Sequence, residues 1–395
     1  MNTQTNTWFY DELSSLFDKK ETEDQIRIKK MQRSVDAKFG AGEPSFVFSK
    51  TSPLFGDVVE IPFSCPSHYR PYAELDLDNF AGAMQFRRNF KRTHPFLIGP
   101  ATLESLLDKP VDNYDYITTG KLPFNPLFFE FTENVSATIP RIKRSNVTLQ
   151  GVYLCASSKK EGLEYVFTSF WKDVDGEILG IDLFMDDPRA THFRGLVTHL
   201  SRSNFDLDKP GIDRNRYQFV IDANNKIHIS RTAKKEAALA LAIHQNTGQL
   251  VDLNNLFDES LPLDSISANV FSMIPSLSIN IINYINAHNV TIATRSRNLL
   301  EPLTLSTIDK KPYSIIQVKE ETYDEPLTQH QGHILTYQLA IKGHNRRLRD
   351  EAGNIRKISW IAPYIKGPEG TPYYDTRHEV TAKKIIAERQ LFANL

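Results

Sequence analysis

Cysteine is nearly missing from this chain. Cys65 and Cys155 are the only two in 395 residues, far apart and in no paired motif, which excludes a disulfide framework and a zinc ribbon and fits a reducing, cytoplasmic setting. Long apolar runs are scarce as well. The most hydrophobic long segment, residues 266–285, is interrupted by Pro275 and several Ser and Asn, whereas a membrane span needs about twenty predominantly apolar residues. A buried helix is expected there, and no membrane partner. The first twenty residues carry Asp11 and Glu12 where a signal peptide would carry a basic segment and then an apolar run, so no leader is expected. Neither a Walker-type phosphate loop nor a G-x-S-x-G elbow occurs, which argues against nucleotide hydrolysis and esterase chemistry. There is no internal repeat and no low-complexity tract.

What is present is the composition of a globular protein: 40% hydrophobic, 24% charged and 11% aromatic, with length for two to three domains. The pattern divides the chain into three zones, a helical arm over 1–42, an α+β core over 43–329 and a basic C-terminal module over 330–395. In the arm, Phe9, Leu13, Leu16 and Phe17 recur at helical spacing, and Thr22 with Gln25 resembles a capping box that would open a second helix. The core begins with Pro-rich, irregular chain and a helix around 75–90. Strands follow in KLPFNPLFFEF, GVYLCAS, LEYVFTSFW and ILGIDLFM. Asp175-Gly176 between two β-rich runs signals a hairpin, and Asn224-Asn225 a weaker one, so an antiparallel meander is expected. Helices are then expected over 232–248 and 268–288. Strands first and helices afterwards indicate α+β architecture, an antiparallel sheet with packed helices and a small β-rich C-terminal module.

The C-terminal module holds the strongest chemical signal. Between Tyr337 and Gly367 lie Lys342, Arg346, Arg347, Arg349, Arg356, Lys357 and Lys366 against only Asp350 and Glu351, in a chain whose net charge is -1. LTYQLAI is expected to be a strand ended by Gly343, with His344 in a glycine-marked turn and a further turn through 351–354 leading into a strand with Ile358, Trp360 and Ile361. Arg and Lys would then share one surface with Trp360, Tyr364, Tyr373 and Tyr374. Cations neutralise phosphates and aromatic faces stack on unpaired bases, which points to RNA or single-stranded nucleic acid. The bland alternative keeps Trp360 and Ile361 in the core and the charges on a solvated face. A second patch lies in GAMQFRRNFKRTHPF, where Arg87 with Lys91 and Arg88 with Arg92 are four apart beside Phe86 and Phe90. That helix either binds anions or is a core helix with a solvated basic edge.

Lys342-Gly343-His344-Asn345-Arg346, followed by Gly353, Lys357, Trp360-Ile361, Pro363 and Gly367, resembles the C-terminal signature of a family of phage- and plasmid-borne proteins. That signature usually reads R-G-H-W-R, a glycine-containing turn, then K/R, W-I-x-P and a final glycine. Leu122-Pro123-Phe124-Asn125 and Asn283-Tyr284-Ile285-Asn286 are similar to shorter landmarks of the same family. The family includes a type V-A anti-CRISPR protein that lowers production of the effector nuclease at the level of its message. Lys342 stands where the family usually has Arg, Asn345 where it has Trp, and Leu339 where many members have His. The resemblance implies a regulatory or counter-defence protein of a mobile element, with a host or CRISPR-associated protein as a further class of partner.

Catalytic constellations are thin. His330-x-x-His333, with His344 and His378, has one spacing that can serve a metal but lacks the further ligands zinc requires. Asp182, Asp186 and Asp187 with Glu164 and Glu177 could supply a two-metal nuclease, although Asp175 and Glu177 flank a hairpin turn. The reading that results is a binding protein for RNA or ribonucleoprotein, with no cofactor and no metal. The alternatives are a module that binds an acidic protein and a metal-dependent nuclease.

Overall fold

The computed structural model describes residues 8–51, 57–108, 111, 122–138, 146–159, 162–185, 193–200, 216–221, 226–230, 259–262, 270–295, 313–318, 336–350 and 352–393. The fold class is α+β, as expected. Internal contacts gather the chain into two compact units, residues 1–93 with 203–213, and 94–202 with 214–395. The cut therefore falls at 93/94. The sequence divisions after 42 and 329 do not coincide with it.

The described part of the first unit runs α1 (Phe9–Phe39), β1 (Ser45–Thr51), β2 (Val58–Ser64) and α2 (Arg70–Arg92). α1 is one continuous helix, not two pieces. Thr22 Oγ donates to the Asp18 carbonyl one turn back and caps nothing, a bond available to Thr inside a helix. The chain from Glu43, expected to be irregular, instead forms the antiparallel β1–β2 hairpin. Val59, Ile61 and Phe63 point inward at strict alternation, Pro62 falls on the exposed side, and proline is tolerated because both strands of a two-stranded sheet are edges. α2 opens a turn earlier than expected, with Pro71 in its first turn, where a donor has no helical partner anyway. Phe9, Tyr10, Leu13 and Phe17 are buried. Phe17 lies edge-on to Phe90 at 5.0 Å, and Tyr10 stacks on Phe90 at 5.1 Å.

The second unit is built on an eleven-stranded sheet ordered β11-β10-β9-β8-β7-β6-β5-β4-β3-β13-β12. Its strands are β3 (His94–Ile98), β4 (Leu127–Thr138), β5 (Asn146–Lys159), β6 (Gly162–Asp173), β7 (Ile178–Met185), β8 (Phe193–His199), β9 (Arg216–Ile221), β10 (Lys226–Ser230), β11 (Glu259–Pro262), β12 (Val290–Arg295) and β13 (Tyr313–Val318). From β4 to β11 successive strands pair antiparallel, the meander expected of β4–β7 and β9–β10, with β8 and β11 added to it. The β6–β7 turn is the expected Asp-Gly hairpin: Asp173 Oδ1 accepts the Asp175 and Glu177 amides, and Gly176 takes φ +78. β9 and β10 pair antiparallel as expected, and Asn224-Asn225 lies outside the described residues, as does the helix expected over 232–248. The parallel pairings of β3 with β4 and with β13 make the sheet mixed, which the local pattern did not announce.

Two helices cover one face, α3 (Pro100–Asp108) and α4 (Val270–Ile285). Their apolar side chains share a core with Phe129, Val152, Leu154, Phe167, Trp171 and Ile181. α4 is the buried helix expected from the segment broken by Pro275. No described helix is long and apolar enough to cross a membrane. The C-terminal stretch adds β14 (Leu339–Ile341), β15 (His344–Arg349), β16 (Ile355–Ile361), β17 (Tyr364–Lys366) and α5 (Thr376–Ala393). It is not a separate module, because Trp360 belongs to the same core cluster as the sheet and α4.

Candidate nucleic-acid interface

β14 with β17 and β15 with β16 are two parts of one long ribbon. Pairing runs from Leu339↔Lys366 to Ile341↔Tyr364, then resumes at His344↔Ile361 with the register kept. The interruption falls at Lys342-Gly343 opposite Ala362-Pro363, where proline has no N–H to give the ladder. The buried side of the ribbon also changes there. In the root part, Ala340 and Ile365 pack against Ala101, Ala382 and Ile385. In the distal part, Ile358 and Trp360 are buried. Ala340 and Asn345, and equally Ile365 and Trp360, are five residues apart, an odd number that places them on opposite faces of an unbroken strand. The break lets the ribbon turn over and keep a buried face along its whole length.

This explains most of the signature residues. A Cβ on Gly343 would lie 2.5 Å from Trp360 Cζ2, so only glycine fits beneath the indole. Gly367, at φ +118, would place a Cβ 2.4 Å from the Tyr337 carbonyl oxygen. Trp360 is 1% exposed and meets Tyr284 edge-on at 5.0 Å. Its backbone is clasped on both sides by Asn289, whose Oδ1 accepts the Trp360 amide and whose Nδ2 donates to the Trp360 carbonyl, each at 2.8 Å. Asn125, in the upstream landmark, clasps Ala156 in the same way. These residues hold the fold. Of the two readings open for Trp360, a place beside the cations or a place in the core, the structure bears out the core.

The basic residues occupy a strand where a displayed turn was expected. On β15, neighbours alternate sides, so Arg346 and Arg347 do not share a surface. His344, Arg346, Leu348, Lys357, Ser359 and Ile361 take the side away from Trp360, and Ser359, opposite Arg346, is itself buried. Arg347 and Asn345 share the side of Trp360 and Ile358, and both are half-buried. Both amide atoms of Asn345 and Nε1 of Trp360 are buried without a hydrogen-bond partner. Near the tip the register slips by one, which leaves Arg356 without an opposite residue, and Arg356 is exposed. Arg349 donates to the Gly353 carbonyl at 2.6 Å and buttresses the tip, where Asp350 accepts the Asn354 amide. Lys366 is exposed at the root, and His344 is exposed with Nδ1 at 3.1 Å from the Lys342 carbonyl.

Lys342 is committed elsewhere. It pairs with Asp108 and with Glu104 at 2.9 Å, and Lys384 of α5 pairs with Glu104 at 3.1 Å and Glu133 at 2.9 Å. Burial pushes the Glu104 carboxyl up, but its bonds to Lys342 and Lys384 and their charges prevail and hold it below its ordinary value. α5 is fastened a second time by Glu388, which accepts from the Thr102 amide at 2.8 Å and the Thr102 hydroxyl at 2.6 Å at the start of α3. Burial raises the Glu388 carboxyl against those bonds.

The second basic patch is an ion-pair seam inside the first unit. Arg87 holds Asp24 at 2.6 Å, Arg88 reaches Glu21 at 3.5 Å, Lys91 pairs with Asp18 and with Glu21 at 3.8 Å, and Arg92 pairs with Asp57. The four-residue spacing of the cations on α2 matches the three-residue spacing of acids on α1. Sequence reasoning took the two helices separately and missed the match.

For the metal and nuclease alternatives, His330, His333, Asp186 and Asp187 lie outside the described residues, and so does the Glu164 side chain. Asp182 accepts from the Thr168 hydroxyl at 2.5 Å, and His378 Nδ1 accepts the Ala340 amide at 3.1 Å. Cys65 and Cys155 are both buried, and neither is in a disulfide. Among the described residues no group of three or more His, Cys, Asp or Glu is placed to hold a metal ion. Comparison with protein-family models, with curated proteins and with solved structures gives no match for this chain.

Proposed function

We propose that this protein binds RNA, free or within a ribonucleoprotein, through the distal part of the β14–β17 ribbon. The reading is carried by the concentration of cations along one ribbon. Arg346, Arg349, Arg356, Lys357 and Lys366 are gathered on one ribbon whose only acids between residues 337 and 367 are Asp350 and Glu351. Such a concentration favours a polyanion, and its phosphates supply the bulk of the affinity. The C-terminal resemblance supports a regulatory or counter-defence role in a mobile element, with a host or CRISPR-associated ribonucleoprotein as the class of target.

The test begins with the ratio of absorbance at 260 and 280 nm of the purified protein and sequencing of any nucleic acid released. Replacing Arg346, Arg356 and Lys357 together with Ala should then flatten the log-log salt dependence of RNA affinity by roughly 0.7 to 0.9 of a unit for each phosphate no longer neutralised. Arg356→Ala alone, at the exposed position of the three, should leave the melting temperature nearly unchanged. An unchanged slope would remove the ribbon from the interface, and salt-resistant capture of a protein with no RNA would replace RNA by an acidic protein.

A further inference from the structure

The turnover of the ribbon has a consequence at its root. Because Ala340 and Ile365 face α5 there, the residues that face away are Leu339, Ile341, Tyr364 and Lys366, and Tyr337 two residues before Leu339 continues that side. Beside it stands Tyr374, 61% exposed. Its ring lies 5.0 Å from Tyr337 and 5.8 Å, edge-on, from His378. The mounting is rigid. The Tyr374 amide donates to the Gln338 carbonyl at 3.0 Å, the Gln338 amide donates to Pro372 at 2.8 Å, and the His378 ring is tied to Ala340. An exposed aromatic ring fixed in this way loses little freedom when a flat ligand lies on it.

Resting on the RNA-binding reading above, we propose that Tyr374, braced by Tyr337 and His378, is a stacking site for an unpaired nucleobase, so that the ligand is single-stranded RNA laid along the ribbon. Lys366, exposed on the same side of the root, neutralises the adjoining phosphate, and the distal cations continue the path. Leu339 to Arg349 spans about 33 Å at roughly 3.3 Å per residue, room for several nucleotides. Every base offers a π-face, so the site tolerates sequence. Trp360, the residue whose type best suits stacking, is turned into the core and takes no part. A base-paired duplex would present only phosphates to this ribbon and gain nothing from Tyr374.

Fluorescence anisotropy on the full chain distinguishes these outcomes, using a labelled single-stranded RNA of about 12 nucleotides, within the usual site sizes, and a hairpin duplex of similar charge. Tyr374→Ala should weaken single-strand affinity by about 5- to 150-fold, the range for loss of one stacked base, and leave duplex affinity within about twofold. Tyr374→Phe should restore single-strand binding, since the hydroxyl is not used. Equal losses on both probes, no loss on either, or a duplex preference in the unaltered protein would overturn the stacking site and leave RNA binding standing. No binding of either probe by the unaltered protein would overturn RNA binding itself.

Discussion

Trp360→Ala tests whether the most conspicuous residue of the C-terminal stretch is a core residue. The indole is 1% exposed, edge-on to Tyr284 at 5.0 Å, and its Cζ2 sits where a Cβ on Gly343 would come within 2.5 Å. Removing a buried Trp side chain costs about 3–5 kcal/mol, of which about 0.5–1.5 kcal/mol belongs to the aromatic pair beyond its area. The Asn289 clasp survives, because it grips the backbone of residue 360, so the strand keeps its address and the loss should stay within that range. One term runs the other way. Nε1 is buried without an acceptor, an arrangement that costs about 1–3 kcal/mol, so Trp360→Phe, which deletes the donor and keeps a ring, should cost far less than Ala. Urea unfolding followed by circular dichroism would show the midpoint falling at unchanged slope. Gly343→Ala completes a double-mutant cycle: its penalty should be large beside the indole and small in the Trp360→Ala background. A Trp360→Ala protein with an unaltered midpoint, or a Gly343→Ala penalty indifferent to residue 360, would refute this packing.

Arg87→Ala leaves Asp24, a 2% exposed carboxylate, with Arg27 at 3.0 Å as its remaining partner and should cost less than the about 3–5 kcal/mol of an unpaired buried charge but more than Arg92→Ala at the exposed end of the seam, about 0–1 kcal/mol; equal effects in thermal melts would show that burial does not grade the seam. Glu104 has a folded value below its ordinary 4.5, so its contribution is present above 4.5 and is lost as pH falls through the lower folded value. Glu104→Gln should therefore flatten the acid limb of the stability curve. Glu388 has the opposite sign. Its folded value lies above 4.5, so its contribution is complete below 4.5 and is lost as pH rises through the folded value, and Glu388→Gln, which cannot ionise, should lose less stability than the parent over that rise.

The elements that local pattern could reveal are those whose information is local. The Asp175-Gly176 turn needs a positive φ and an acid that folds back on the amides, and both requirements sit within five residues. The meander from β4 to β7 is dense in aromatic and β-branched residues, and the Pro275 segment could only be a buried helix. What was not legible depends on partners far along the chain. Nothing near His94 tells that its strand lies parallel to β4 on one side and β13 on the other, some 220 residues later. The hairpin after Glu43 was hidden because Pro62 breaks the composition of a strand without breaking its alternation. Thr22 and Gln25 offered a capping pattern that a helix already running through Asp18 overrode.

The candidate site follows the same division, with an inversion. The residues that stand out in the sequence, Gly343, Trp360, Pro363 and Gly367, are spent on turning the ribbon over and seating it in the core. Their spacing is set by where the buried face must change sides. Charge is visible on α2, but that Arg87, Arg88 and Lys91 are held by acids of α1 is revealed only by the packing of one helix on the other. Tyr337 and Tyr374 belong to no motif. Thirty-seven residues apart, they meet because the chain after β17 returns beside Gln338, bridging it at Tyr373. A ligand surface assembled from such pieces carries its chemistry in residues that packing leaves at the surface, and packing is the quantity that a linear reading cannot see.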